Sequence, residues 1–127
     1  MSRTRRGANA VEFALVLPVL LTFLFGVIDL GWAYTLRHAA SSAAAAGARA
    51  GALTSQEGDP NGRAVAAAQA RWDELDLPAV PTIVAFRQGA PQSLVVRVEV
   101  PLQELVGLVV GPEEIEVTVA QRMEDQP

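Results

Sequence analysis

The sequence predicts an α+β protein in which a long N-terminal transmembrane helix extends into a small outer domain. That domain carries a second helix and an antiparallel sheet of about three strands. Three observations predict it. An apolar run near the N-terminus passes without a break into an alanine-rich stretch; a segment at helical spacing follows the first clear loop; and three short runs rich in β-branched residues close the chain.

The apolar run comes first. Sixteen uncharged residues, Phe13 to Ile28, separate Glu12 from Asp29. They make about 24 Å of helix, short of a hydrocarbon core of about 30 Å. Extending from Val11 through Tyr34 gives twenty-four residues, or about 36 Å, enough to cross with some tilt. Asp29 then lies below the outer interface, and Trp32 and Tyr34 form an aromatic anchor at headgroup level. Arg3, Arg5 and Arg6 precede the run and only Arg37 follows it closely. The positive-inside rule therefore places the N-terminus in the cytoplasm and the rest outside. Pro18, inside the run, removes a backbone donor and is expected to kink the helix. Glu12 and Asp29 either snorkel toward an interface or meet partners in an assembly.

Alanine is the strongest helix former, so the helix is expected to continue outside the membrane through Leu36 to Leu53. Ala43, Gly47 and Gly51 form a row of small residues four apart, a face that another helix can approach closely. His38 and Arg37 fall just outside the membrane. Ser55, Gly58, Asp59, Pro60, Asn61 and Gly62 mark a loop between Thr54 and Gly62. Arg63 to Leu77 reads as an amphipathic helix, with Val65, Ala68, Trp72 and Leu75 inward and Arg71, Asp73, Glu74 and Asp76 outward. Pro78 and Pro81 end it.

Thr82 to Arg87 is a short strand followed by a Gly89-Ala90-Pro91 hairpin loop. Leu94 to Val100 alternates, with Leu94, Val96, Val98 and Val100 on one face and Arg97 and Glu99 on the other. Ile115 to Ala120 repeats the pattern through Ile115, Val117 and Val119, and suits an edge position. Between them Leu102, Leu105, Val106 and Val109 suit a short helix closed by Gly111-Pro112.

Composition narrows the function. The net charge of -4 conceals a division: residues 1 to 53 carry +3 and residues 54 to 127 carry -7. An acidic chain of pI about 4.9 repels phosphate, so no nucleic-acid partner is expected. The chain has no cysteine, one histidine, and arginine as its only strong base. Thiol, lysine and multi-histidine chemistry are therefore absent, and neither an enzyme activity nor a cofactor is expected. The acidic groups Asp73, Glu74, Asp76 and Glu113, Glu114, Glu116 lack the spacing of a calcium-binding EF-hand loop and read first as solvated charge.

The start of the apolar run carries a more specific pattern. Residues 6 to 13 read Arg6-Gly7-Ala8-Asn9-Ala10-Val11-Glu12-Phe13. This resembles the cleavage site of type IV prepilins, in particular the short-leader class of the Flp/Tad pili, cut between Gly7 and Ala8. Val11-Glu12-Phe13-Ala14-Leu15-Val16-Leu17-Pro18 and the later Gly26-Val27-Ile28-Asp29-Leu30-Gly31 are similar to the TadE-like minor pilins, or pseudopilins. The resemblance covers residues 7 to 53. It implies a pilin-like fold and three parts: a leader over 1–7, a transmembrane and stalk helix over 8–53, and an extracytoplasmic α+β domain over 54–127. It also implies a role in initiating or completing a Flp/Tad pilus, or in the associated secretion machine. The implied partners are a prepilin peptidase, other pilins and pseudopilins, the inner-membrane assembly platform and the lipid bilayer of the bacterial inner membrane.

Physical roles follow for the signature residues. Glycine before the scissile bond leaves room for the peptidase, and cleavage creates an α-amino group at Ala8. Glu12, four residues on, shares its helical face, and its carboxylate can pair with a neighbouring subunit's amine. Such a pair favours register more than stability. Three other readings compete. A secretory signal peptide would be cut near Ala39-Ala40-Ser41-Ser42-Ala43-Ala44-Ala45, but its apolar core would be longer than usual and would contain Pro18 and Asp29. An uncleaved signal anchor is the second. The third is a membrane-anchored binding or scaffold domain unrelated to pili, in which Gly7 and Glu12 are dispensable.

Overall fold

The computed structural model describes residues 3–54, 58–90, 92–103 and 113–123. Its elements in order are α1 (Arg3–Ala52), α2 (Pro60–Asp73), β1 (Thr82–Gln88), β2 (Ser93–Pro101) and β3 (Glu114–Arg122). This is the α+β fold expected. The chain forms two units, one reaching through Trp32 and the other beginning at Ala33 and holding α2 and the sheet.

In the first unit α1 is apolar and bare. Every side chain from Val11 to Leu24 is exposed, with Leu15 and Phe23 each at 72%. Successive residues step about 100° around the axis, so a run of this length is apolar on every side. Water does not support such a surface, and a core helix would have it covered. The most apolar eighteen-residue window has a mean hydropathy of 2.5 and none of it is buried. The helix continues through Pro18, and the Thr22 hydroxyl donates to the Pro18 carbonyl at 2.8 Å. From Phe25 one side begins to be covered, and Asp29 is only 6% exposed.

The second unit packs the rest of α1 against α2 and the sheet. Leu36, Ala40, Ala43, Ala44 and Ala48 are fully buried. A Cβ on Gly47 would stand 2.6 Å from the Ala64 carbonyl oxygen and 2.9 Å from the Ala68 methyl. One on Gly51 would stand 2.7 Å from the Pro60 carbonyl oxygen and would strike the Leu94 side chain. The two helices therefore approach nearly backbone to backbone, as small residues allow.

Helix α2 starts earlier than the sequence suggests, at Pro60 rather than Arg63. Asp59 is its N-cap, accepting from the Gly62 N–H at 2.9 Å, and Pro60 occupies the first turn, where a missing N–H costs nothing. It ends at Asp73 rather than Leu77, and Asp76 takes a positive φ of 47° in the turn that follows. The buried row is Pro60, Ala64, Ala68 and Trp72, one residue per turn. Ala68 and Trp72 match the expected inward face; Val65 and Leu75 are only half-buried. The Trp72 indole N–H donates to the Ala79 carbonyl at 3.1 Å, which ties down the connection to β1.

The sheet is antiparallel in the order β1-β2-β3. Its centre, β2, buries Leu94, Val96, Val98 and Val100 completely, each side chain contributing about 1.5–3 kcal/mol by leaving water. Gln88 pairs with Ser93, so the hairpin loop is residues 89 to 92, with Gly89 at φ 84°. Strand β3 lies at an edge, as does β1. Leu102 is not helical, and its N–H donates to the Glu113 carbonyl at 2.9 Å. The rest of the expected short helix, Leu105 to Pro112, lies outside the described residues.

Candidate functional site

The site proposed by the sequence is the N-terminal helix itself. Gly7 is exposed and lies within α1, and a Cβ added to it would meet nothing within 4 Å. The side chain of Ala8 lies outside the description. Glu12 and Phe13 are exposed on α1, Phe13 at 64%. Glu12 and Ala8 are one turn apart on α1.

The far end of the apolar run is different. Asp29, expected near the interface, is buried, and by spacing it shares a face with Leu36, seven residues on. Trp32 is half-buried. Tyr34 is 72% exposed and stacks on His38 with ring centroids 6.5 Å apart. In the first unit Thr22, Phe23, Gly26, Val27 and Leu30 line a shallow apolar groove.

The small-residue row Ala43, Gly47 and Gly51 is occupied by this chain's own α2 and by Leu94 of β2. On the same helix Arg37, His38, Ser41 and Arg49 are exposed. Arg71, expected outside, is half-buried and joins the helices: its Nε donates to the Ser42 hydroxyl at 3.0 Å and it pairs with Glu74. Helical spacing places Arg71 beside Trp72 at the rim of the buried face, a signal its charge conceals.

On the sheet, Glu99 and Glu116 face each other across β2 and β3, and such like-charge pairs repel. Arg97 stands between them, with Nε 3.1 Å from Glu116 and a terminal nitrogen 3.9 Å from Glu99. The first contact has ion-pair distance but not the alignment of a hydrogen bond, so it acts as charge compensation. Among the described residues no group of three or more histidines, aspartates or glutamates is placed to hold a metal ion. Asp73 accepts from Gln69 at 2.8 Å, and Glu74 is held by Arg71.

A helix of this kind, bare and apolar at one end and packed into an α+β domain at the other, fits a single-pass membrane protein. The model of the TadE-like protein family matches residues 7–49, starting at the glycine of the processing motif. Over that segment, about a third of the chain, the sequence is similar to TadE-like proteins. The match ends inside α1, so α2 and the sheet lie beyond it. No curated protein and no solved structure matches the chain.

Proposed function

We propose that this protein is a minor pilin, or pseudopilin, acting in Flp/Tad pilus biogenesis or the associated secretion machine through helix packing. One observation carries the reading: the segment that matches the TadE-like family holds a helix exposed and apolar on every side from Phe13 to Leu24. Such a surface needs lipid first and neighbouring helices later. The chain sits in the inner membrane with its N-terminus in the cytoplasm, as Arg3, Arg5 and Arg6 favour. A prepilin peptidase cuts after Gly7, leaving Ala8 as the new N-terminus and Glu12 free to pair with the amine of an adjacent pilin. The outer domain docks on other pilins or the assembly platform and performs no reaction of its own.

The burial of Ala39, Ala40, Ala43 and Ala44 weighs against a secretory signal peptide cut at that stretch, since the cut would strip these residues from the core of the second unit. N-terminal sequencing of the protein from membranes should give a start at Ala8. Gly7→Leu should leave a full-length precursor, shifted by the mass of the leader. If the wild-type protein keeps its leader, or Gly7→Leu matures normally, the alternative stands: a membrane-anchored scaffold unrelated to pili.

A further inference from the structure

The connection between α2 and β1 is apolar where loops in water are mostly polar. Leu77-Pro78-Ala79-Val80-Pro81 carries no charge and no polar side chain. Pro78 is exposed, and Val80 is 79% exposed. The Trp72 indole holds the Ala79 carbonyl, so Val80 is presented beside a fixed point.

The packing of α2 on α1 fixes the level of this loop within the second unit. Gly51 abuts Pro60 and Ala64, Gly47 abuts Ala64 and Ala68, and Ser42 meets Arg71. The helices are therefore antiparallel, and α2 descends toward the end at which α1 enters the unit, at Ala33. Helix α2 finishes two residues after Arg71, at Asp73, and the core reaches further, to the fully buried Leu36. The sheet agrees. Leu94, near the start of β2, abuts Gly51, while Thr82 pairs with Glu99 near the other end of β2. The loop thus lies at the end of the unit nearest Tyr34. Leu30, the last residue of the apolar run, is four residues earlier on the same helix. Four residues rise about 6 Å, which keeps Tyr34 within the headgroup zone.

We propose that residues 77–81 form a second membrane contact, in which Pro78 and Val80 enter the lipid interface and seat the outer domain on the leaflet that α1 leaves. Lipid is the occupant because the bilayer that α1 crosses begins at this end of the unit, and apolar side chains gain by meeting the acyl boundary. Asp73, Glu74 and Asp76 are exposed just before the loop and do not favour anionic headgroups, so the contact is apolar rather than electrostatic. A second attachment restricts the tilt that a single helix would leave free. The inference rests on α1 crossing a membrane, and not on the pilin role, on cleavage after Gly7 or on which side the domain lies.

Depth-dependent quenching tests it. The chain has no cysteine, so a single introduced cysteine can carry a fluorophore. Full-length protein with Val80→Cys, Leu53→Cys or Leu20→Cys is labelled and placed in phosphatidylcholine vesicles. These contain lipids bearing a quencher either near the headgroup or deep in the acyl chain. Leu53 is the matched control: it is 76% exposed and follows the far end of α1, about 27 Å along the axis from Tyr34. Val80 and Leu53 are both exposed, so neither replacement disturbs the core, and an unchanged circular dichroism spectrum checks this. The headgroup quencher should act several-fold more strongly at position 80 than at position 53. The difference should persist in about 0.5 M salt, where electrostatic contacts are screened. Equal quenching at the two positions, or a difference that salt abolishes, would overturn the proposal. Position 20 separates that failure from failure of the membrane reading. Deep quenching there shows that α1 is inserted, and its absence would overturn the membrane reading and the proposal together.

Discussion

Gly51 and Gly31 show how differently one residue type can act along a single helix. A Cβ at Gly51 has no room, because the nearest atoms include the Pro60 carbonyl, which cannot move without α2. A Cβ at Gly31 meets nothing within 4 Å. Gly51→Val should therefore destabilise the outer domain by about 1–3 kcal/mol, the usual cost of forcing bulk into a packed site. Gly31→Ala should stay within about 0.5 kcal/mol of the wild type. Urea unfolding followed by Trp72 fluorescence separates the two, and equal effects would refute the backbone-contact account.

At the scale of elements, α2 depends on its start. Asp59 satisfies the Gly62 N–H, one of the orphan donors of the first turn. Asp59→Ala should cost about 1 kcal/mol and Asp59→Asn much less; a melting temperature unchanged by the alanine would show that the cap is redundant. The same residues explain what was legible in the sequence. Asp59-Pro60 is a helix-start signal and a turn signal at once, so turn chemistry placed the boundary three residues late. The strands were clearer: the alternation of Leu94, Val96, Val98 and Val100 maps directly onto the fully buried face of β2. The row of Ala43, Gly47 and Gly51 was legible as a close-packing face, but its partner was not. Spacing identifies a flat face on a helix; which element covers it depends on where α2 folds back. The pairing of Arg71 with Ser42 was hidden for the same reason.

For the molecule as a whole, the decisive property is the stretch of α1 between Val11 and Leu30, apolar except for Glu12 near one end and the buried Asp29 near the other. That stretch is twenty residues, or about 30 Å, close to the thickness of a hydrocarbon core. Leu20 lies at its middle and is 57% exposed. Leu20→Arg places a guanidinium at the bilayer centre, at a cost of about 2.5–3.5 kcal/mol on insertion scales. The variant should shift from the membrane pellet to the alkaline-soluble fraction, whereas Leu20→Phe should remain membrane-bound. Retention of the arginine variant would indicate that neighbouring protein, not lipid, surrounds the helix. The signal for this segment was plain because a membrane span needs only composition and length. The half-burial of Trp32 and the burial of Asp29 were not, because both depend on tertiary packing.

The alanine seam between α1 and α2 has one last consequence, which concerns register. Ala40, Ala44 and Ala48 repeat once per turn, so a slide of α2 by one turn would exchange methyl for methyl at those sites. Such a seam is nearly degenerate in itself. The glycines break the degeneracy: a slide toward the N-terminus of α1 would put the Ala43 methyl where Gly47 now admits the Ala64 carbonyl, at a separation no carbon tolerates. A slide the other way runs past Ala52, where α1 ends. Two missing methyl groups thus set a single alignment for two otherwise repetitive helices.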